Sequence, residues 1–483
     1  MMSNTTFGDK KAFHDIDAVF HPSSVAIIGA STDSDRELKI GWVGKLKRFD
    51  YKGKIYPINP KAKEILGYKA YPSIGAVPDP VDYAIITVNR NLVANALKEC
   101  ISKRVKTIHI YSGGFSEVGS EEGIALEKEL KEIIENCDSR IIGPNCLGVY
   151  SPSGGPSFDP GLPKEPGSIY CISQTGVGSR RLIRLAMGKG LLFKKAVSFG
   201  NSIDLGANDF LEDALQDPDV NLIFLYLEGI TDGQRFFNIL RRCAEQKPVV
   251  LLKAGMSEAG KSAVASHTAS IAGDKQVWEA LFKQTGAIKV ETLEEAVEQM
   301  IALQTFPPLK GRGVGLIGRG GGLGVIATDL CESVGLKVPR LGIETRKRLE
   351  KIIPASFGST LGNPVEIGLG HTGISEHYVE GLEIVASDPQ IDCILSFLNP
   401  ADYIHFGFKG WAEDTISGLK KAKSIINKPI ALVFLPGLNT EVFAAVVEIQ
   451  RKLLEHGVAC FSSMDTAIKA IGKMADYYEI IAD

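Results

Sequence analysis

Three times along this chain a short apolar run ends in a turn of small residues and passes into a helical pattern. The first is Ser24-Val-Ala-Ile-Ile-Gly-Ala-Ser31, the second Ser168-Ile-Tyr-Cys-Ile172 with Ser173-Gln-Thr-Gly176, the third Val314-Gly-Leu-Ile317 with Gly318-Arg-Gly-Gly-Gly-Leu-Gly324. Runs this short and this apolar suit strands buried on both faces, the kind found in parallel sheets covered by helices. More strand candidates follow each one: Lys54-Ile-Tyr-Pro-Ile-Asn59, Tyr83-Ala-Ile-Ile-Thr-Val88, Thr107-Ile-His-Ile-Tyr111 and Arg140-Ile-Ile142, then Lys195-Ala-Val-Ser-Phe199, Asn221-Leu-Ile-Phe-Leu-Tyr-Leu227 and Pro248-Val-Val-Leu-Leu252, then Cys393-Ile-Leu-Ser-Phe397, Ile430-Ala-Leu-Val-Phe434 and Val458-Ala-Cys-Phe461. Strands alternating with helices predict an α/β fold with doubly wound sheets. Pro- and Gly-rich stretches at 151–167 and 305–313 divide the chain into three such domains in series.

Composition narrows the class. Over 483 residues, 44% hydrophobic and 23% charged content is ordinary for a globular protein. A net charge of −3 gives no electrostatic case for nucleic acid or an anionic membrane. No apolar run reaches the length of a membrane span, and the N-terminus lacks a signal peptide's apolar region. The eight cysteines form no CxxC pair, and no His/Cys cluster has zinc-ligand spacing, so no metal site is expected. These features predict a cytoplasmic protein.

In open parallel sheets, ligands bind beyond the carboxyl ends of the strands. Backbone amides at a helix start favour anions, so the turns Ser173, Gln174, Thr175, Gly176 and Gly320, Gly321, Gly322 are candidate phosphate sites. Each is equally an ordinary strand-to-helix turn when taken alone. Gly322-Leu-Gly324-Val-Ile-Ala327 fits G-x-G-x-x-A, but no acidic residue follows where a ribose would need it. From Lys253 to Gly273 the chain is almost all Gly, Ala, Ser and Thr, and reads as a long, weakly anchored loop presenting His267 between Ser266 and Thr268. A neutral imidazole is a competent nucleophile near pH 7, although an incidental surface His fits the composition too. After the loop, a helical pattern begins near Asp274 with Val277, Leu281 and Phe282 on one face.

These motifs in this order resemble the α subunit of the nucleoside-diphosphate-forming acyl-CoA synthetases, of the ADP-forming acetyl-CoA synthetase type, and more distantly succinyl-CoA synthetase. Ser266-His-Thr-Ala-Ser-Ile-Ala-Gly273 looks like that family's phosphohistidine signature, and Ser173-Gln-Thr-Gly176 is similar to its S-Q-S-G turn. Asn59-Pro-Lys61, Gly114-Phe-Ser-Glu117, Gly143-Pro-Asn-Cys-Leu-Gly148, Ser198-Phe-Gly-Asn201 with Asp204, and Tyr226-Leu-Glu228 match further landmarks. The resemblance implies a Rossmann-like CoA-binding domain over 1–152, a flavodoxin-like domain with the phosphohistidine loop over 164–306, and a second flavodoxin-like domain over 310–483. It implies that acyl-CoA and phosphate give an acyl-phosphate, that His267 takes the phosphoryl group with Glu228 orienting the imidazole, and that ADP becomes ATP. CoA is expected around Gly29, Ser31, Lys61, Val88, Asn89 and Asn145, with Asn201 and Asp204 in the acyl/phosphate pocket. The nucleotide, with Mg2+, is expected on a separate ATP-grasp β subunit in an α2β2 assembly. The other substrate is a small carboxylic acid or its CoA thioester.

The chain also departs from the family pattern. Gly318-Arg319 stands where relatives commonly have Asn and a small residue, Asn89-Arg90 where they have Pro-Ala, and Glu366 where they have Asp. Arg319 either adds a cation to the phosphate turn or faces solvent or the partner. A second reading, a non-catalytic CoA-binding regulatory protein of the same fold, is disfavoured because His267 and Glu228 are both present.

Overall fold

A computed structural model of the chain describes residues 16–268, 273–353, 361–367, 376–405, 410–435 and 440–482. Its strands are β1 (Ser24–Ile28), β2 (Lys54–Ile58), β3 (Glu64–Ile65), β4 (Tyr68–Lys69), β5 (Tyr83–Ile86), β6 (Thr107–Ile110), β7 (Arg140–Ile142), β8 (Gly148–Tyr150), β9 (Ile169–Ser173), β10 (Phe193–Ser198), β11 (Leu222–Leu227), β12 (Val249–Lys253), β13 (Ile288–Val290), β14 (Val314–Gly318), β15 (Val365–Glu366), β16 (Cys393–Leu398), β17 (Ile430–Phe434) and β18 (Ala459–Phe461). They form three principal sheets and one small antiparallel hairpin, β3 with β4.

The three sheets share one plan. Their orders are β2-β1-β5-β6-β7, then β13-β12-β11-β9-β10-β8, then β15-β14-β16-β17-β18. Setting aside the antiparallel edge strand β8, each places its second strand outside its first and adds the later ones on the other side. That is the doubly wound order with a single switch point, and a ligand crevice lies there. The switch points fall between β1 and β5, between β9 and β11, and between β14 and β16. β1, β9, β14 and β17 are buried at every position, which is why each reads as a run without charged residues and with little alternation.

By contact density the chain divides into two compact units. One comprises 1–184 and 192–289, with the first two sheets; the other comprises 185–191 and 290–483, with the third. In the second unit, helix Leu293–Thr305 is joined to helix Met464–Ala482 by the Lys473–Glu295 ion pair and by Gln299 Nε2 donating to the Ala470 carbonyl at 3.3 Å.

Two expectations differ from the structure. The small-residue stretch after β12 is not all loop, since Glu258–Thr268 is helical. Ala, Glu and Lys favour helix without supplying an apolar stripe, so the segment lacks the periodicity that reveals other helices. Only Val264 on it is buried among the residues whose exposure is described. Helix Lys275–Thr285 does start beside its cap Asp274, but it buries Trp278 and Phe282 and leaves Val277 65% exposed.

Near the amino ends of β9 and β10 the first unit buries a charge cluster. Lys195, 1% exposed, lies 2.9 Å from both Asp213 and Asp217, with the Phe20 and Tyr170 ring centroids 5.0 Å away. Burial lowers its pKa, but the two carboxylates outweigh that and hold it above the usual lysine value. Lys195→Met strands two carboxylates in the interior and should lower unfolding free energy by about 3–5 kcal/mol in urea denaturation. Adding Asp213→Asn and Asp217→Asn should recover part of the loss, whereas additive losses would contradict the cluster.

Candidate active site

The switch point of the second sheet gathers Ser173, Gln174, Thr175 and Glu228. The Ser173 hydroxyl accepts from Thr175 N–H at 3.2 Å and donates to the Thr175 carbonyl at 2.9 Å, closing the turn that starts helix Gly176–Gly188. Gln174 reaches across to β11. Its N–H donates to the Tyr226 carbonyl at 3.1 Å, and its Oε1 accepts from Glu228 N–H at 2.5 Å and Gly229 N–H at 3.1 Å. Glu228 is thus held by the turn's own side chain. Its buried carboxylate accepts from the Tyr226 hydroxyl at 3.3 Å.

Lys253, at the end of β12, donates from Nζ to the carbonyls of Glu228, at 2.8 Å, and Ala254, and sits 5.0 Å from the Trp278 ring centroid. Burial lowers its pKa to about 8, opposed in part by Glu228. Helix Glu258–Thr268 follows, with the Ser257 hydroxyl accepting from Gly260 N–H at 3.1 Å, and packs on the turn Ser116–Val118 of the first sheet's domain. His267 lies in its last turn, and its side chain is outside the described residues.

At the first sheet's crevice, an open cleft of about 470 Å³ is lined by Thr87, Val88, Asn89, Arg90, Tyr111, Ser112 and Gly113. Gly29 borders it with φ +93°, and a Cβ there would stand 2.8 Å from Val88 Cγ1, so glycine is required. Asn89 caps helix Arg90–Ser102 by accepting from Asn91 N–H, and Arg90 is tied to the Gly114 carbonyl at 3.0 Å and Glu122 at 2.5 Å. Lys61 is exposed, with its N–H on the Asn59 side chain at 2.8 Å. Ser31 accepts Asp33 N–H on its hydroxyl at 3.2 Å. Its N–H already donates to Glu37 at 2.8 Å, and that buried carboxylate also takes Val43 N–H at 2.9 Å. Behind the cleft, fully buried His109 packs edge-on to Trp42, Tyr83 and Tyr111, with Nε2 3.2 Å from the Cys146 carbonyl oxygen. Burial pulls its pKa to about 4, the Cys146 carbonyl opposing and the Lys45 cation adding to the fall.

Asn201 and Asp204, expected in the acyl/phosphate pocket, and Asn145, expected at CoA, join the domains of the first two sheets. Asn145, at φ +59°, donates its N–H to Ser112 at 3.0 Å, and its amide is 3.5 Å from Asn201 Oδ1. Asn201 Nδ2 donates to two buried carboxylates, Glu117 at 2.7 Å and Glu127 at 2.8 Å. Burial raises the Glu127 pKa, but hydrogen bonds from Lys131, Ser116 and Asn201 outweigh it and hold the group below the usual glutamate value. Asp204 clamps β7. It takes Arg140 Nε at 3.0 Å, Arg140 Nη2 at 3.3 Å and Ile141 N–H at 2.8 Å, which occupies both its oxygens.

The third sheet's glycine turn, in the other compact unit, is also occupied from within. Gly320, at φ +103°, leads into helix Gly321–Ser333, and its N–H donates to Glu366 Oε1 at 3.0 Å. Gly321, Gly322 and Arg319 are exposed. A carboxylate at this helix start offsets the positive end that made it a candidate phosphate site. The described residues of the chain contain no group of three or more His, Cys, Asp or Glu suited to a metal ion.

Sequence reasoning gave no role to Glu37, Glu127, Lys253 or Tyr111. Lys253 and Tyr111 carried a usable signal, since Tyr111 ends a predicted strand and Lys253 directly follows one. Glu37 and Glu127 lie within helices and gave none.

Comparison with known proteins bears on the same segments. Residues 23–152 match the family described as a CoA binding domain, and residues 166–303 the succinyl-CoA ligase like flavodoxin domain. The α subunit of acetate–CoA ligase [ADP-forming] I from Pyrococcus furiosus is 34% identical over 475 residues, covering 95% of this chain and 97% of that one. Acetate–CoA ligase [ADP-forming] I from Archaeoglobus fulgidus is 34% identical over 97% of this chain, which spans only 64% of that longer protein. Among solved structures, the dinucleotide forming acetyl-coenzyme A synthetase 1 of Ca. Korarchaeum cryptofilum, in complex with phosphate and ADP, aligns with a TM-score of 0.82 at 30% identity, covering 97% of this chain and 98% of that one.

The buried imidazole yields a pH prediction. An ordinary His in the unfolded chain protonates near 6.5 and the folded one near 4, so between those values only the unfolded state gains the proton. Stability is therefore full above about pH 6.5 and falls by roughly 3 kcal/mol on acidification to about pH 4. NMR titration should show His109 neutral down to about pH 5; a midpoint near 6.5 would refute its burial.

Proposed function

Because the chain belongs to the family of the ADP-forming acyl-CoA ligase α subunits, we propose that it catalyses the acyl-CoA half of such a reaction and passes a phosphoryl group to a nucleotide held elsewhere. Phosphate attacks the thioester carbonyl of an acyl-CoA, and the CoA thiolate leaves, giving an acyl-phosphate. An imidazole nitrogen of His267 then attacks the phosphorus and the carboxylate departs as the free acid. Phosphohistidine finally donates to ADP, giving ATP and restoring His267. The acid–thiol ligase direction is the reverse.

The observation that carries this reading is the switch point of the second sheet. Glu228 and the 173–176 turn stand together there, and the next strand, β12, runs directly into the helix that bears His267. A carboxylate beside an imidazole can accept the proton of its second nitrogen and raise the nucleophilicity of the first. The turn at Ser173, Thr175 and Gly176 is the proposed seat of phosphate, with Gln174 acting on Glu228 through its side chain. The proposed CoA site is the cleft at Val88 and Asn89, bordered by Gly29 and by Lys61. The contact of helix Glu258–Thr268 with Ser116–Val118 supports transfer starting near that cleft.

The nucleotide, with Mg2+, is proposed on an ATP-grasp partner chain, and an α2β2 assembly is the proposed stoichiometry. The substrate is a small carboxylic acid. A cytoplasmic location is supported by eight buried cysteines, none of them in a disulfide.

His267→Ala should lower ATP formation from acyl-CoA, phosphate and ADP by about 10⁴-fold or more while leaving CoA affinity unchanged. Appreciable turnover by this variant would remove His267 from the path. The purified chain alone should bind CoA yet make no ATP until an ATP-grasp chain is added; ATP formation at enzymatic rates by the chain alone would contradict the division of labour.

A further inference from the structure

Lys45 lies on helix Trp42–Phe49, with Nζ 4.5 Å from the Trp42 ring centroid and 5.5 Å from that of Tyr111. Tyr111 also lines the cleft at the ends of β5 and β6, so one ring is shared between the cleft and the ammonium. Aromatic faces attract a cation without neutralising it. Among the described residues Lys45 makes no ion pair, and the two nearby carboxylates are committed elsewhere. Glu37 holds the N–H groups of Ser31 and Val43. Asp159 holds Arg184 at 2.6 Å and Gly161 N–H at 3.0 Å.

The remaining charges that face Lys45 are cations: Arg180 from the first turns of helix Gly176–Gly188, and Arg48 from its own helix. Arg48 donates to the carbonyls of Gly44 and Lys39. Arg180 is exposed and makes no ion pair among the described residues. Burial lowers the Lys45 pKa to about 8, and Arg180 adds to the fall. Lys45 and Arg180 thus repel one another here, and the carboxylates that act on Lys45, Asp159 and Glu37, are already engaged by other donors.

We propose that Lys45, with Arg180, binds a phosphate group of the ligand seated beside Tyr111. The assignment rests on the reading above only for the identity of that ligand. The phosphate has two possible sources: a phosphate of CoA, or the inorganic phosphate that is carried onto the acyl group.

The test is site-resolved labelling of the full-length chain with an amine-reactive acetylating reagent at pH 8, read at Lys45 by peptide mass spectrometry. Labelling is compared without ligand and with CoA, pantetheine or inorganic phosphate. CoA or phosphate should slow acetylation of Lys45 by about tenfold or more, and pantetheine, which carries no phosphate, should not. Protection by CoA alone assigns the CoA phosphates; protection by inorganic phosphate alone assigns the transferred group. No protection by either, or equal protection by pantetheine, would overturn the proposal. Lys45→Met should weaken the protecting ligand about tenfold, and Lys45→Arg should stay within about threefold of the parent. Unchanged affinity in Lys45→Met would equally overturn it. The assay needs neither turnover nor a partner chain. A chain that shows the protection yet never forms ATP with its partner counts against the ligase reading alone.

Discussion

The constraint on which this structure turns is what satisfies the backbone amides where a parallel strand hands over to a helix. Such amides have no acceptor in the sheet or the helix and are costly to leave unmet when buried. All three domains solve it with a side chain of their own. Glu37 takes the Ser31 amide after β1, Gln174 takes the Glu228 and Gly229 amides after β11, and Glu366 takes the Gly320 amide after β14. The solutions differ in charge. A carboxylate cancels the positive end of the helix it faces and repels a second anion, whereas a neutral amide leaves that field intact. Of the three topologically equivalent crevices, the second is the one in which a neutral side chain takes this place. Its own carboxylate, Glu228, is countered by the Lys253 ammonium bound to its carbonyl.

Buried lysines show the same logic at a second level. Lys195 has two carboxylates within 2.9 Å and is held charged, near the amino ends of β9 and β10. Lys253 and Lys45 have carbonyls or aromatic rings instead, and burial brings both down to about 8. The first arrangement fixes a charge permanently and serves packing. The second leaves a charge that a bound anion can stabilise, and both of its examples stand at carboxyl edges where ligands come.

Much of this was legible in the sequence, for identifiable reasons. The strands were visible because strands buried on both faces must be apolar throughout, and the glycine turns because Gly29 and Gly320 occupy backbone conformations that other residues resist. What sequence hid was pairing at a distance. Asp204 looks like a free carboxylate after a strand until Arg140, 64 residues earlier, is seen to grip it. Glu366 reads only as a departure from the family's Asp until its contact with Gly320 appears. The short edge strands β13 and β15 carry too few residues to show a period. The helix Glu258–Thr268 reads as loop because its residues favour helix by propensity without forming an apolar stripe.

That weakly anchored helix rests on the loop that also closes the cleft. Gly113 lines the cleft, and a Cβ on it would stand 3.1 Å from Glu117 Oε1. Glu117 holds the amides of Gly114 and Phe115, and receives Asn201 from the second sheet's domain at 2.7 Å. The turn Ser116–Val118 then supports helix Glu258–Thr268. Anything that shifts residues 111–113 therefore presses on both the strut between the two domains and the seat of the helix. The strut is stiff, because Asn201 is gripped by two carboxylates and breaking it would leave buried charges short of a donor. On the helix, Val264 is the one buried side chain among residues 258–264, so this first part of it is held by little apolar contact.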